Sequence, residues 1–127
     1  MIFKSDKLFE MLAEIRTEGE NAIREIFTKL GTKKLNVEYY EENYGVERSG
    51  FSSYDSNGYS SPSWIKTIEL QDDGSIEVIL DGDWECETYV EDMMANEVAI
   101  TLDILEQCVG CIEDEGADII SEYPEED

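Results

Sequence analysis

Residues 64–90 hold three short runs in which apolar and polar side chains alternate, separated by Asp72-Asp73-Gly74 and Asp81-Gly82-Asp83. Alternation of this kind marks strands with one buried face, and a short Gly-containing break between two runs marks a hairpin. The loop lengths then decide the pairing. A two-residue turn at Asp73-Gly74 sets Leu70 against Glu77 and mixes the faces. A three-residue loop with Gly74 left-handed sets Leu70 against Ile76 and Ile68 against Val78, which keeps the faces apart. The same loop length at the second break sets Leu80 against Trp84 and Val78 against Cys86. One face then carries Ile68, Leu70, Ile76, Val78, Leu80, Trp84, Cys86 and Val90, and it needs a cover.

Two helices supply that cover. Leu8, Leu12, Ile15, Ala22, Ile23, Ile26 and Leu30 recur at three- and four-residue steps, with Met11 and Phe27 at the flanks, predicting a helix over 5–30 that stops at Gly31. Its other face mixes Glu10, Glu14, Arg16, Glu18, Glu20, Arg24 and Lys29, as a solvated surface does. Gly19 falls on the stripe and is expected to mark either a close approach to the sheet or a weak spot in the helix. A second helix is expected to start between Asn96 and Thr101 and to end near Gly116, with Val98, Leu102, Leu105, Val109 and Ile112 as its stripe. Leu35, Val37 and Tyr39 alternate with Asn36, Glu38 and Tyr40, predicting a first strand. Residues 41–63 read as a long Ser/Tyr/Gly-rich loop, part of it able to form an irregular hairpin. Residues 117–127 read as a short edge segment around Ile119-Ile120 and then an acidic tail. The fold class is α+β: an N-terminal helix, a small antiparallel meander of three or four strands and a C-terminal helix, with both helices on one face of the sheet. At 127 residues this is a single domain, 1–127.

Charge restricts function more than it restricts fold. The net charge is −23, and it is unevenly placed. Residues 1–66 hold eleven Asp/Glu and all nine Lys/Arg, a balance of −2, whereas residues 67–127 hold twenty-one acids and no Lys or Arg. Proteome-wide acidity would load both halves. Direct nucleic-acid binding is close to excluded by this sign, and a positively charged partner is expected. No apolar run reaches the roughly 20 residues of a membrane span. No secretory leader is read at the start, and three cysteines fit a reducing, cytoplasmic setting better than a disulfide framework.

The motifs for chemistry are thin. There is no His, which removes the commonest general base and metal ligand. Cys108-Val109-Gly110-Cys111 is formally C-x-x-C, but it falls late in a helix rather than at a helix start, so core packing is expected. Asp81, Asp83, Glu85 and Glu87 alternate like a calcium loop, yet Cys86 stands where an EF-hand needs Gly. No cofactor, dedicated metal site or enzymatic activity is expected. Loose association of Mg²⁺ or Ca²⁺ with the acids remains open.

What stands out is the polar face of the meander. The expected register opposes Glu69 to Glu77 and Glu77 to Glu87, with Glu85 beside them. Strands about 4.8 Å apart and i,i+2 side chains about 6.7 Å apart would give a charge density like that of a nucleic-acid backbone. Sheets normally avoid opposed like charges. Tyr44, Phe51, Tyr54 and Tyr59, set among Ser, Gly and Asn, have the composition of antibody recognition loops. The partner-contacting set is therefore Glu69, Glu77, Asp81, Asp83, Glu85 and Glu87 with these four aromatics. In charge and size the chain resembles phage and plasmid proteins that inhibit defence nucleases by imitating DNA, among them anti-restriction and anti-CRISPR factors. That resemblance implies an inhibitor whose partner is a basic, nucleic-acid-handling protein. Alternatives are an immunity protein neutralising a basic toxin, a carboxylate-based metal hydrolase and a housekeeping domain.

Overall fold

The computed structural model describes residues 4–47, 52–54, 60–81 and 86–122. Helix α1 runs from Lys4 to Leu30 and ends where Gly31, at φ 75°, donates its N–H to the Phe27 carbonyl at 3.0 Å. Strand β1 follows (Lys34–Asn36), then α2 (Val37–Tyr44), a small hairpin of β2 (Ser52–Tyr54) and β3 (Ser60–Pro62), the meander β4 (Trp64–Leu70), β5 (Ile76–Asp81) and β6 (Cys86–Tyr89), a 3-10 turn at Val90–Asp92, and α3 (Ala95–Asp114). The main sheet is antiparallel with order β1-β4-β5-β6. Its inner face, with Leu35, Ile65, Ile68, Ile76, Val78, Leu80 and Val90, packs in one core with Ile23 and Phe27 of α1 and Val98, Ile104, Leu105 and Cys108 of α3. The expected α+β architecture is the one observed.

Three local expectations change. Residues 37–40 do not extend the first strand. The Asn36 side chain accepts from the Tyr39 N–H at 2.9 Å, so the strand ends at an N-cap and α2 begins. Val37 and Tyr40 are three apart and both turn into the core, and Gly45 at φ 77° closes the helix with its N–H on the Glu41 carbonyl. Residues 41–44 are thus helix, and the remainder of the expected loop contains the paired strands Ser52–Tyr54 and Ser60–Pro62. The close approach at Gly19 is to α3 rather than to the sheet. A Cβ there would sit 2.6 Å from Val98 Cγ1. Finally, Arg24 is not merely a solvated charge. Its Nε donates to the Gly74 carbonyl at 2.8 Å, and its terminal nitrogen meets Glu91 at 3.0 Å.

The C-terminal segment closes the edge of β1, as its Ile119-Ile120 pair suggested. Asn36 N–H donates to the Ile120 carbonyl at 2.8 Å. The buried Tyr40 hydroxyl donates to the Asp118 carbonyl at 2.6 Å and accepts from the Ile120 N–H at 2.8 Å. Burial holds that phenol well above its usual range, at about 12. An otherwise open strand edge is thereby covered by the chain itself.

Gly19→Ala tests the helix–helix contact. Ala is worth about 1 kcal/mol over Gly inside an exposed helix. Overpacking against Val98 should more than offset that gain, for a net loss of about 1–2 kcal/mol in chemical denaturation. Val98→Ala in the same chain should make the Gly19→Ala change neutral or stabilising relative to Val98→Ala alone.

Candidate functional site

The outer face of the sheet lies opposite the helices, and its residues follow from the observed register. Lys34 pairs with Glu69, Glu69 with Glu77, and Glu77 with Tyr89, which gives one row across four strands. The neighbouring row is Asn36, Thr67, Ile79 and Glu87, and beyond a bulge between Ile65 and Thr67 the last pair is Trp64 with Asp81. The first turn forms as expected, with Gly74 at φ 90° and Leu70 opposite Ile76. The second does not. Leu80 faces Cys86 and Val78 faces Thr88, a slip of two residues from the expected pairing.

That slip keeps Cys86 and Val90 on the inner face, so it leaves the hydrophobic pattern unchanged. What it alters is the acid row. Glu87 faces Ile79 and stands diagonal to Glu77, and the place opposite Glu77 goes to Tyr89, whose hydroxyl donates to Glu77 Oε2 at 3.3 Å. A directly opposed pair of carboxylates is exchanged for a phenol donor, which removes one destabilising pair. Glu69 and Glu77 remain opposed.

Glu77 therefore sits among acids on three strands. Its carboxyl titrates above its ordinary value, first because the site is partly desolvated, then because Glu87 lies within hydrogen-bonding reach and Glu69 adds further repulsion; the Tyr89 hydroxyl pulls the other way. Tyr89 is raised in turn, chiefly by the charge of Glu77. Lys34, the cation ending the row, is engaged by Glu122 at 2.9 Å. Among the described residues no group of three or more His, Cys, Asp or Glu side chains is placed to hold a metal ion.

The other expected contact residues scatter. Asp81 joins the outer face at the end of β5, beside Trp64, which is 44% exposed. Tyr44 lies on the helical side, in a cluster with Tyr39 and Tyr40 whose ring centroids are 5.3–6.4 Å apart, and lines a shallow hollow with Cys111 and Glu115 of α3. It anchors α2, away from the carboxylates. Tyr54 belongs to β2 by its backbone, while its side chain, with Phe51, Tyr59, Asp83 and Glu85, lies outside the described residues. Trp64 and Tyr89 are the aromatic members that sequence reasoning did not single out. A bulge between Ile65 and Thr67 turns Trp64 outward, and the slip of β6 sets Tyr89 against Glu77; patterning shows neither.

The thiols of the C-x-x-C are buried on α3. Burial pushes Cys108 up to about 12, and burial with Glu115 raises Cys111, so both are held protonated, the reverse of a redox motif. No described helix is long and apolar enough to cross a membrane. No protein-family model, curated protein or solved structure matches the chain.

Glu77→Gln should stabilise the protein at neutral pH. An acid whose folded pKa is raised costs nothing below its ordinary value of 4.5, where both states are protonated, and its full penalty appears above the folded pKa. The melting-temperature advantage of the variant over the parent should therefore vanish below about pH 4 and grow as pH rises past it. It should also shrink as salt screens Glu69 and Glu87. A variant that is less stable at neutral pH would mean the Tyr89 bond outweighs the acid crowding.

Proposed function

We propose that this chain is a non-enzymatic interaction protein that presents the outer sheet face to a basic protein which itself handles nucleic acid, and inhibits it by occupying the phosphate-binding surface. The observation carrying this reading is the opposition of Glu69 and Glu77 with Glu87 alongside, on the face turned away from the core that α1 and α3 share with the sheet. Crowded carboxylates destabilise the isolated protein, so an arriving Arg or Lys gains from relieving that repulsion as well as from its own ion pairs. Trp64 and Tyr89 flank the acids and offer aromatic faces to a guanidinium. Lys66 in β4 is the one cation in the meander's own sequence, set against eight Asp/Glu between Glu69 and Glu87.

A DNA-imitating inhibitor of a nuclease fits this surface, and reaching such a partner from solution benefits from the field of the whole molecule. Its binding should be steeply salt-dependent. The test is capture from a host lysate with the parent chain and with a Glu69→Gln, Glu77→Gln, Glu87→Gln triple variant, at low and at high salt. The expected result is a nucleic-acid-binding protein that the parent retains at low salt, releases at high salt and shares competitively with added duplex DNA. The triple variant, folded by circular dichroism, should lose most of that retention. Retention unchanged by the three substitutions would remove this face from the interaction.

A further inference from the structure

Helix α1 is longer than anything that covers it. Its C-terminal half lies on α3, with Gly19 against Val98 and Lys29 paired with Glu113 at 3.4 Å, so the two helices run in the same direction. Since α3 begins at Ala95, close to the level of Gly19, the preceding residues of α1 extend past it by about 20 Å at 1.5 Å per residue. The apolar stripe does not stop at that point. Leu8, Met11, Leu12 and Ile15 continue it and are 55, 55, 40 and 48% exposed, whereas Ile23 and Phe27 further along are buried. A stripe that one half of a helix buries and the other half leaves bare has a second face still to meet.

We propose that this overhang is a self-association arm, on which a second copy of the chain lays its own overhang antiparallel, with Leu8 against the partner's Ile15 and Met11 against the partner's Leu12. Charge singles out a copy of the chain as the occupant. Residues 4–18 hold Lys4, Lys7 and Arg16 against Asp6, Glu10, Glu14 and Glu18, a balance of −1 in a chain of −23, so here two copies repel least. Lys7, Glu14 and Glu18 are spaced seven and four apart and share one flank of the stripe. In the antiparallel arrangement each Lys7 falls between the partner's Glu14 and Glu18, and the two-fold axis repeats that contact. In a parallel pair each flank meets the partner's other flank, so Lys7 would lose both Glu14 and Glu18. That arrangement would also bring the acidic bodies together, whereas the antiparallel pair keeps them at opposite ends, separated by more than the screening length of about 8 Å in physiological salt. Four half-exposed side chains amount to roughly half of the 800 Å² per partner in a standard interface, so a micromolar dimer is expected.

Sedimentation velocity of the full chain tests this from low-micromolar to near-millimolar concentration, in low and moderate salt. The expected result is a monomer–dimer equilibrium that strengthens with salt as body–body repulsion is screened. Leu12→Lys should leave the chain monomeric with an unchanged melting temperature, because Leu12 lies outside the core. Lys7→Glu should weaken the dimer by about two- to fivefold, the worth of exposed ion pairs. Adding Glu14→Lys and Glu18→Lys to that same chain should restore it. Orientation is read by oxidation in a Cys86→Ser chain. Leu12→Cys, near the two-fold axis, should form a covalent dimer, and Leu8→Cys should not. A chain that stays monomeric throughout overturns the proposal, as does a dimer indifferent to Leu12→Lys or one in which Leu8→Cys cross-links as readily.

Discussion

The half-buried Arg24 guanidinium fixes the relation between the first helix and the meander. It holds the Gly74 carbonyl and the Glu91 carboxylate together, and Glu91 in turn accepts from the Ile76 N–H through both oxygens at 3.1 and 3.2 Å. Three elements that are distant in sequence meet there: α1, the tip of the β4–β5 hairpin and the turn that follows β6. The register of β6 depends on the same contact. With Glu77 opposite Tyr89, the chain arrives at Glu91 beside Ile76 and the carboxylate can reach the free amide. A register slipped back by two residues would carry Glu91 about 6.7 Å along the strand and away from both partners. The inner-face pattern tolerates either register, so charge and hydrogen bonding, rather than hydrophobic burial, distinguish them.

The same network shows how so acidic a chain stays folded. Every Lys and Arg lies before residue 67, and the fold spends several of them across the divide. Arg24 meets Glu91, Lys29 meets Glu113, Lys33 meets Asp72 and Lys34 meets Glu122. The exposed pairs contribute little each. Their collective effect is placement: cations from the first half come to rest over acids of the second at the hairpin tip, the sheet edge and the end of α3. At the centre of the outer face Glu77 keeps Glu69 and Glu87 as neighbours, and its carboxyl stays raised.

Much of the fold was legible because it rests on periodicity. The two long helices, the β4–β5 pairing and its left-handed Gly74 all follow from spacing and turn chemistry. The losses have physical causes. Val37 and Tyr39 fit a period of two, while Val37, Tyr40 and Tyr44 fit a helix equally well. Asn36 as an N-cap and Gly45 as a stop were the signals that decided between them. The two-residue slip of β6 preserves which face each side chain takes, so patterning could not detect it, and with it went the straight row of three acids. The tie from Tyr40 to Asp118 and Ile120 spans about eighty residues and leaves no local trace. At the candidate site, the Glu69–Glu77 opposition was readable, whereas the bulge that turns Trp64 outward and the slip that sets Tyr89 against Glu77 were not.

Periodicity also says which way a helix face points but not whether anything waits there, and this accounts for the bare arm of α1. One stripe runs the length of that helix, yet α3 begins too late to cover its first turns. The arm and the acid row are surfaces of opposite kind, and each suits a different contact. The arm is nearly neutral and apolar, so it can approach another copy without strong repulsion. The outer sheet face is crowded with acid, so another copy is the partner it resists most. Its crowding is relieved only by positive charge. A cation placed beside Glu77 would lower that carboxyl back toward its ordinary range and release any proton it had retained, so association there would be favoured as pH rises through the interval between 4.5 and the raised value. The repulsion that weakens the isolated sheet is, on this reading, the same free energy that a basic partner recovers when it binds.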